Sequence, residues 1–169
     1  LAEAYKSLGL SFSYLGKRDE GIKEYEKALM LNENYTEVYI NLAMMYLNER
    51  NFDRAFNMLQ KAVKTNSFSS EAHKELANYY LIKRNYKKAI KEYKTAINEG
   101  FINKHSLFQS YSNIALCFKL EGEPEQAIFY LEKALSVNPD RGITYFELGE
   151  IFNNKGNEEK ALKYYRDYL

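Results

Sequence analysis

Few side chains in this sequence could do chemistry, and they lie far apart. It contains two histidines, His73 and His105, and one cysteine, Cys117. A zinc site needs several thiolate or imidazole ligands at short spacings, and no such cluster occurs here. The serines lack a histidine and an acid at the spacing of a catalytic triad, and there is no glycine-rich phosphate loop. We therefore predict no catalytic residue, no cofactor and no metal.

These three residues are instead given structural interpretations. His73 is interpreted as a packing substitute for an aromatic residue, and His105 as a surface residue. Cys117 is interpreted as a small buried hydrophobe rather than a redox centre. A single cysteine cannot form an internal disulfide, so the fold must rest on packing. The glutamates are expected to face solvent on helices.

The overall charge gives little reason to expect a nucleic acid or a membrane as partner. The chain has 24 basic and 23 acidic residues, a formal net charge of +1, and no stretch apolar enough for a membrane span. One basic stretch stands out, with Lys83, Arg84, Lys87, Lys88, Lys91 and Lys94. We interpret it as a solvated helix face, the alternative being a docking site for an acidic partner or nucleic acid.

The rest of the sequence is dominated by a pattern of two helices, clearest in residues 36–66. The first helix has an apolar stripe at i, i+3, i+4 and i+7, formed by Tyr39, Leu42, Ala43 and Tyr46. The second helix continues the stripe with Ala55, Leu59 and Ala62. Between the two, Asn51 is predicted to cap the second helix; Asn85 and Asn157 are predicted caps of the same kind, and Pro124 is expected at a first helical position. The helices are therefore expected to fold back on each other.

The helix pair occurs five times. Its first aromatic position is held by Tyr5, Tyr39, His73, Tyr111 and Tyr145, with spacings of 34, 34, 38 and 34 residues. Four residues later come the small residues Gly9, Ala43, Ala77, Ala115 and Gly149. The second helices carry small residues at Gly21, Ala55, Ala89, Ala127 and Ala161. Small residues let paired helices approach closely, while the aromatics fill the space on either side.

This pattern resembles the tetratricopeptide repeat, whose helices carry an aromatic, Leu, Gly or Ala, and an aromatic, then Ala, an aromatic and Ala. The resemblance covers essentially the whole chain, with local departures at His73, Gly21 and Tyr168. It implies an all-α fold, an alpha-alpha superhelix (solenoid) of five tandem helix-turn-helix repeats. We expect a single array over 1–169, with repeats at approximately 2–35, 36–69, 70–103, 108–141 and 142–169.

The spacing of 38 leaves a four-residue insertion, 104–107, between repeats three and four. Gly100 is expected to end a helix before it. The segment Phe101 to Leu107 is then either a longer loop or about one additional turn on the next first helix. It is interpreted as a tolerated insertion, the alternative being a partner contact or a change in superhelical pitch.

The resemblance also implies a binding surface, because the first helices of such proteins line a concave groove. By register, the groove residues selected for partner binding are Lys6, Leu10, Tyr14, Ile40, Asn41, Met44, Leu47, Lys74, Asn78, Leu81, Ile82, Asn113, Leu116 and Phe146. An extended or helical segment of a protein or peptide partner is expected to lie there. Its apolar anchors would contact the aliphatic and aromatic side chains, and the asparagine amides would bond its backbone.

The charge of the groove argues against one well-known use of the family. Its full set of positions carries six Glu and three Lys. Repeats that clamp the acidic tail of cytosolic heat-shock chaperones place Lys and Arg on their third repeat. Lys74, Asn78 and Asn113 match the earlier positions of that clamp, but Ile143 and Glu147 lie where the bases are needed. A carboxylate would meet acid there.

The favoured function is a non-catalytic scaffold or adaptor in complex assembly. The alternatives are the docking region of a longer enzyme, such as a glycosyltransferase or protease, and the peptide-sensing half of a regulator. In the last helix, Leu162, Tyr165 and Leu169 would face a following element. We therefore expect a longer natural protein or burial of this end against another molecule, which includes self-association. The compartment stays open, with the cytoplasm favoured.

Overall fold

The computed structural model describes residues 1–101 and 103–169, which form ten α-helices and no strand. The helices are α1 Ala2–Tyr14, α2 Arg18–Leu31, α3 Thr36–Asn48, α4 Phe52–Thr65, α5 Ser70–Ile82, α6 Tyr86–Glu99, α7 Lys104–Glu121, α8 Pro124–Val137, α9 Gly142–Asn154 and α10 Glu158–Tyr168. Within these described residues, no helix has both the length and the apolar character that crossing a membrane requires. The predicted all-α class is confirmed.

The chain divides into two compact units, Leu1–Tyr79 (unit 1) and Tyr80–Leu169 (unit 2). Unit 1 contains α1 to α4 and most of α5, and unit 2 contains the end of α5 and α6 to α10. In unit 1, α1 packs against α2 and α3 against α4; in unit 2, α7 packs against α8 and α9 against α10. These pairs are the helical hairpins that the apolar stripes predict.

The core of unit 1 consists of those stripes. One buried cluster contains Tyr25, Ala28, Val38, Leu42, Met45, Tyr46 and Ala55. A second contains Ile40, Ala62 and Ala72. Because burying one leucine-sized side chain contributes about 1.5–3 kcal/mol, the paired stripes hold each hairpin closed.

Glycine lies where the paired helices of a hairpin come closest. A Cβ atom added to Gly9 would lie 2.7 Å from Cδ1 of Tyr25 and 3.1 Å from the backbone oxygen of Gly21. In unit 2, a Cβ atom on Gly149 would lie 2.6 Å from Cδ1 of Tyr165. The ring distances are far below ordinary carbon contact distances, so the predicted role of small residues is confirmed at these two positions.

Aromatic rings fill the space beside the small residues of unit 2. Phe118 and Tyr130 stack with ring centroids 5.6 Å apart, and Phe152 and Tyr164 stack at 5.4 Å. Each pair joins the first and second helix of one hairpin. Such aromatic pairs contribute about 0.5–1.5 kcal/mol beyond the area they bury.

The predicted helix caps are confirmed. The side-chain oxygens of Asn51, Asn85 and Asn157 each accept a hydrogen bond of 3.1–3.3 Å from the backbone amide three residues later. Pro124 lies in the first turn of α8, as expected. Each asparagine therefore satisfies an amide that the start of a helix leaves unpaired.

The turn inside each repeat contains one residue in the left-handed conformation. Three are glycines, Gly16, Gly122 and Gly156, with φ of 72°, 77° and 72°. The same register position holds Arg50 and Arg84, with φ of 57° and 56°. For a residue with a Cβ atom this conformation costs about 1–2 kcal/mol. The turn geometry is thus common to all five repeats, although two of them lack the glycine.

Replacing Arg84 by Gly is expected to raise the free energy of unfolding by about 0.5–1 kcal/mol, because it relieves the left-handed strain while adding freedom to the unfolded chain. Urea titration followed by helical circular dichroism measures the change. The reverse replacement, Gly122→Arg, is the control and should lower stability by a similar amount. Equal or lower stability of the Arg84→Gly variant would contradict the strain argument.

Helix α7 starts one turn earlier than the other first helices. It has 18 residues, against 13 in α1, α3, α5 and α9. Its N-cap Asn103 accepts a hydrogen bond of 2.8 Å from the amide of Ser106, while Gly100, with φ of 83°, follows the last residue of α6 as predicted. Residues 104–107 thus form an additional helical turn. Ile102, in the predicted segment Phe101 to Leu107, lies outside the described residues.

Two glutamates correct the expectation that glutamates face solvent. Glu24 and Glu75 are buried, with 9% and 7% of their surface exposed. Lys27 donates a 2.7 Å hydrogen bond to Oε1 of Glu24, and Lys74 lies 3.2 Å from Oε1 of Glu75. Partners nearby on the same helix therefore offset part of the lost hydration, although Oε2 of Glu24 has no hydrogen-bond partner among the described residues.

Candidate partner-binding surfaces

The predicted groove residues lie on the first helices of the repeats, and the two units carry separate sets of them. The first-helix surface of unit 1 comprises Lys6, Leu10, Tyr14, Ile40, Asn41, Met44, Leu47, Lys74 and Asn78. The first-helix surface of unit 2 comprises Leu81, Ile82, Asn113, Leu116 and Phe146. Each surface is described by itself.

The surface of unit 1 exposes large apolar side chains. Leu10 is 38% exposed, Met44 45% and Tyr14 84%. Leu10 and Tyr14 are one turn apart on α1, so they are neighbours on one face of that helix. Leu47 is half-buried against the larger core cluster. The surface therefore offers exposed apolar side chains next to the buried core cluster.

Ile40 does not fit the predicted role of an apolar anchor. It is only 6% exposed and belongs to the core cluster with Ala62 and Ala72. The structure therefore places Ile40 in the core of unit 1 and not on its accessible surface. Register alone could not show this, because exposure depends on how the neighbouring helices pack.

The two lysines of this surface are paired with glutamates. Lys6 lies 2.7 Å from Oε1 of Glu3, and Lys74 lies 2.6 Å from Oε1 of Glu71 and close to Glu75. Burial disfavours the charged form of Lys74, but its hydrogen bond to Glu71 and the charge of Glu75 outweigh this and raise its pKa. A ligand carboxylate would have to compete with these intramolecular pairs.

The three asparagines predicted to bond a partner's backbone have partners within the chain. Asn113 donates a 2.9 Å hydrogen bond to the phenol oxygen of Tyr93, and Asn41 lies beside the phenol of Tyr25, where it opposes the rise in the pKa of that phenol that burial causes. Asn78 donates a 3.0 Å hydrogen bond to Oε2 of Glu75. These amides therefore stabilise the fold, and their contact with a partner stays a prediction.

The first-helix surface of unit 2 is also apolar. Leu116 is 42% exposed, Ile82 53% and Phe146 39%, whereas Leu81 and Asn113 are half-buried. The ring of Phe146 lies 5.8 Å from that of Tyr165 and 5.7 Å from that of Tyr168. Phe146 is thus fixed on one side by α10 and presents its remaining surface to solvent.

Comparison with known families decides what these hairpins are. Three family models, all described as tetratricopeptide repeat, match residues 108–141, residues 40–101, and residues 2–35 together with 143–169. The chain belongs to the tetratricopeptide repeat family. The resemblance read from the sequence is confirmed, and the fold is a helical repeat superhelix.

Solved structures with this tetratricopeptide repeat fold cover most of the chain. The crystal structure of MamA is 25% identical, with a TM-score of 0.84 over 96% of this chain and 92% of that one. The pilF protein of Pseudomonas aeruginosa is 20% identical, with a TM-score of 0.87 over 99% of this chain and 74% of that one. YrrB is 24% identical, with a TM-score of 0.73 over 85% and 72%. Its structure is described as that of a TPR protein with an unusual peptide-binding site.

One curated relative matches part of this tetratricopeptide repeat protein. The Protein CTR9 homolog of Arabidopsis thaliana is 35% identical over 74 residues. The match spans 44% of this chain but only 7% of that relative. The two proteins therefore share a short repeat segment.

Tetratricopeptide repeats are generally non-catalytic interaction modules. In this chain, the surroundings of the two histidines and the cysteine suit structural roles. His73 is buried, with Nε2 lying 3.1 Å from the carbonyl oxygen of Ser67, while His105 is exposed. Burial raises the pKa of the Cys117 thiol to about 12, which disfavours a reactive thiolate. Across residues 1–101 and 103–169, no group of His, Cys, Asp and Glu could hold a metal.

Replacing Glu147 by Gln is expected to stabilise this tetratricopeptide repeat protein at neutral pH. Burial raises the pKa of Glu147 above 4.5, and the charge of Lys119 opposes this shift only in part. The folded state therefore binds the proton more tightly than the unfolded chain does. Wild-type stability should fall as the pH rises from 4.5 through the raised pKa. The amide variant should lack this fall.

Urea unfolding at several pH values between about 4 and 7 measures the difference. Glu159 is exposed, so the variant Glu159→Gln is the control for the loss of one carboxylate. Parallel stability curves for the wild type and the Glu147→Gln variant would contradict the assignment to burial.

Proposed function

We propose that this protein is a non-catalytic scaffold that binds a peptide or helical segment of a protein partner on its first-helix surfaces. The exposure of Leu10, Tyr14 and Met44 on unit 1 carries the proposal. Large apolar side chains grouped at exposed positions are typical of sites where another protein docks. Membership of a family of interaction modules supports it, as does the peptide-binding site ascribed to YrrB.

Unit 2 offers a similar arrangement. Leu116 and Leu120 are one turn apart on α7, and both are exposed. Ile143 and Phe146 are one turn apart on α9 and are also exposed. Pairs of apolar side chains at this spacing form ridges between which the anchor residues of an amphipathic or extended segment can pack.

The charges favour an internal apolar segment over a free carboxyl terminus. Lys6 and Lys74 are already paired with Glu3 and Glu71, and Glu147 lies half-buried on α9 of unit 2. A carboxylate ligand needs basic donors that are not already paired. We therefore infer that affinity depends on apolar contacts rather than on capture of a terminal carboxylate.

Two methionines of unit 1 make a matched test. Met44 is on the first-helix surface and is 45% exposed, while Met30 is on α2 and is 85% exposed. A pull-down from extract of the source organism identifies a partner, and calorimetry measures its affinity for the Met44→Glu and Met30→Glu variants. Met44→Glu should weaken binding by about tenfold or more, as loss of a hot-spot contact does, and Met30→Glu should not.

Leu116→Glu is the corresponding variant of unit 2. It is a cleaner choice than Leu81→Glu, because Leu81 is half-buried and its replacement would also disturb packing. All variants are first checked for native helix content. If the Met44→Glu and Leu116→Glu variants both bind the partner at full affinity, the first-helix surfaces are not the binding sites.

Self-association through the last helix stays a prediction. In α10, Leu162 is 55% exposed and Tyr168 47%. Sedimentation of the wild type and a Leu162→Glu variant tests it. A concentration-dependent dimer that the variant abolishes would support self-association, and a wild-type monomer at all concentrations would exclude it.

A further inference from the structure

A pocket outside the first-helix surfaces lies between α6, α7 and α8 of unit 2. Its volume is about 370 Å³, and it is lined by Lys94, Ile97, Asn98, Tyr111, Phe129, Tyr130 and Lys133. We call it the aromatic-lysine pocket. None of its residues is among the predicted groove positions, so the first-helix surfaces do not account for it.

The aromatic part of the pocket packs against neighbouring rings on one side and is exposed to solvent on the other. The rings of Phe129 and Tyr130 meet edge to face at 5.1 Å, and Tyr130 also stacks on Phe118 at 5.6 Å. Phe129 is nevertheless 49% exposed. A half-exposed ring held in place by its neighbours is a suitable contact for an apolar side chain of a partner.

Two ammonium groups lie over these rings. Nζ of Lys94 is 5.6 Å from the ring centroid of Tyr130, and Nζ of Lys133 is 5.3 Å from that of Phe129. Within the described residues, neither lysine forms an ion pair with a carboxylate. Lys87 and Lys91 are also exposed and extend the positive charge along the same face of α6. The pocket therefore favours an anion.

Unit 1 has a corresponding pocket with a different charge. Its volume is about 360 Å³, and it is lined by Glu26, Leu29, Met30, Tyr39, Leu42, Tyr46, Met58 and Lys61. By repeat register, Glu26 corresponds to Lys94 and Lys61 to Lys133. Asn57 holds the position of Phe129. The repeat fold thus forms this pocket in unit 1 with one acidic and one basic residue and without an exposed aromatic ring. The two lysines and the exposed ring of Phe129 in unit 2 are therefore not required for folding.

We propose that the aromatic-lysine pocket binds an acidic segment of a protein partner. An aliphatic or aromatic side chain of that segment packs on Phe129, and flanking carboxylates pair with Lys94 and Lys133. Charge complementarity selects an acidic peptide, since a carboxylate close to both lysines gains two charge-assisted hydrogen bonds. This site is additional to the first-helix surfaces and does not depend on them.

The ring geometry favours a peptide over a nucleic acid. A nucleobase binds by stacking on a free aromatic face. Lys94 and Phe118 already lie against the ring of Tyr130, and Lys133 lies over that of Phe129. A base that stacks over a whole ring face would have to displace the lysines. A smaller apolar side chain can instead contact the part of Phe129 that stays exposed, and carboxylates can approach the ammonium groups where they are.

The probe is a fluorescein-labelled peptide in which runs of Asp and Glu flank a central Leu-Phe pair. Its binding to the full chain is measured by fluorescence anisotropy at low salt. The variants Lys94→Glu and Phe129→Asn introduce the residue types found at the equivalent positions of unit 1, Glu26 and Asn57. Circular dichroism checks that the variants fold. Lys163→Glu, an exposed position on α10, is the control for the change in net charge.

Wild-type protein is expected to bind the probe, and Lys94→Glu and Phe129→Asn should each weaken binding by about tenfold, as loss of a central contact does. Lys163→Glu should leave the affinity unchanged. Equal weakening by Lys94→Glu and Lys163→Glu would overturn the proposal, as would equal binding of a probe with Ser-Ser in place of Leu-Phe. Tighter binding of an oligothymidylate than of the probe, or no binding of the probe to the wild type, would overturn it as well.

Discussion

Replacing Tyr25 by Ala is expected to lower the free energy of unfolding by about 3–5 kcal/mol, the range found when a buried aromatic is truncated. Tyr25 is 1% exposed and belongs to the larger core cluster of unit 1. A Cβ atom on Gly9 would lie 2.7 Å from Cδ1 of its ring, and Ser13 and Asn41 lie near its hydroxyl, where they oppose the rise in its pKa that burial causes. Truncation therefore opens a cavity and removes the hydroxyl beside the half-buried Asn41. Urea unfolding measures the loss.

Tyr25→Phe separates the two contributions. The ring is kept, so only the polar interactions of the phenol hydroxyl with Ser13 and Asn41 are lost, at a cost of about 1–2 kcal/mol. Asn41 should then be the residue whose side-chain amide resonances shift most in nuclear magnetic resonance spectra. Equal destabilisation by Tyr25→Phe and Tyr25→Ala would show that packing of the ring contributes little.

Replacing Gly149 by Ala is expected to destabilise the α9–α10 hairpin by about 1–3 kcal/mol, as overpacking of a filled core does. The added methyl carbon would lie 2.6 Å from Cδ1 of Tyr165 and closer still to Cε1. The ring cannot move away freely, because its hydroxyl bonds at 2.5 Å to Oε1 of Glu150. Thermal or urea unfolding measures the effect.

A second replacement, Tyr165→Leu, tests the cause. Repeats two and four combine Ala with Leu at the two positions, as Ala43 with Leu59 and as Ala115 with Leu131. The double variant Gly149→Ala, Tyr165→Leu copies that combination. Its stability should exceed the sum of the single effects by about 0.5 kcal/mol or more, which is typical of residues in contact. Strict additivity would show that the methyl group and the ring do not meet.

The two proposed kinds of binding surface should differ in their response to salt. The first-helix surfaces depend on apolar side chains such as Met44 and Leu116, whose contacts are little screened by ions. The aromatic-lysine pocket depends on Lys94 and Lys133, whose attraction for an acidic segment weakens as ionic strength rises. A partner captured by this protein can therefore be assigned to one surface by the salt dependence of its affinity.

Part of the candidate site could be predicted from the sequence and part could not. The register of the repeat placed Leu10, Met44 and Leu116 on the first helices, where all three prove to be exposed. It placed Ile40 there as well, although the packing of neighbouring helices buries it. A position in a repeat identifies the face of a helix, but exposure depends on what that face meets.

For the polar residues as well, the position in the repeat does not show whether a side chain is available to a partner. Asn41 and Asn113 follow second helices that carry Tyr25 and Tyr93; the amide of Asn113 bonds the phenol of Tyr93, and Asn41 lies beside the phenol of Tyr25. Glu75 and Glu147 take that register position where the preceding second helix carries Leu59 or Leu131. Comparing the repeats at this one position reveals that Asn alternates with Glu, just as Tyr alternates with Leu on the preceding second helix. The sequence comparison nevertheless could not show that the amides are already bonded, because the partners lie on different helices.

The sequence by itself determined the helices, the caps and the family. Apolar spacing and the capping asparagines act within one helix or one turn, so a local pattern is enough to predict them. Only the tertiary structure decided that Lys6 and Lys74 are paired with glutamates and that Lys94 and Lys133 lie over aromatic rings. The division into two units was likewise invisible in a uniform repeat. Availability of a side chain for a partner depends on contacts between helices, which register alone does not encode.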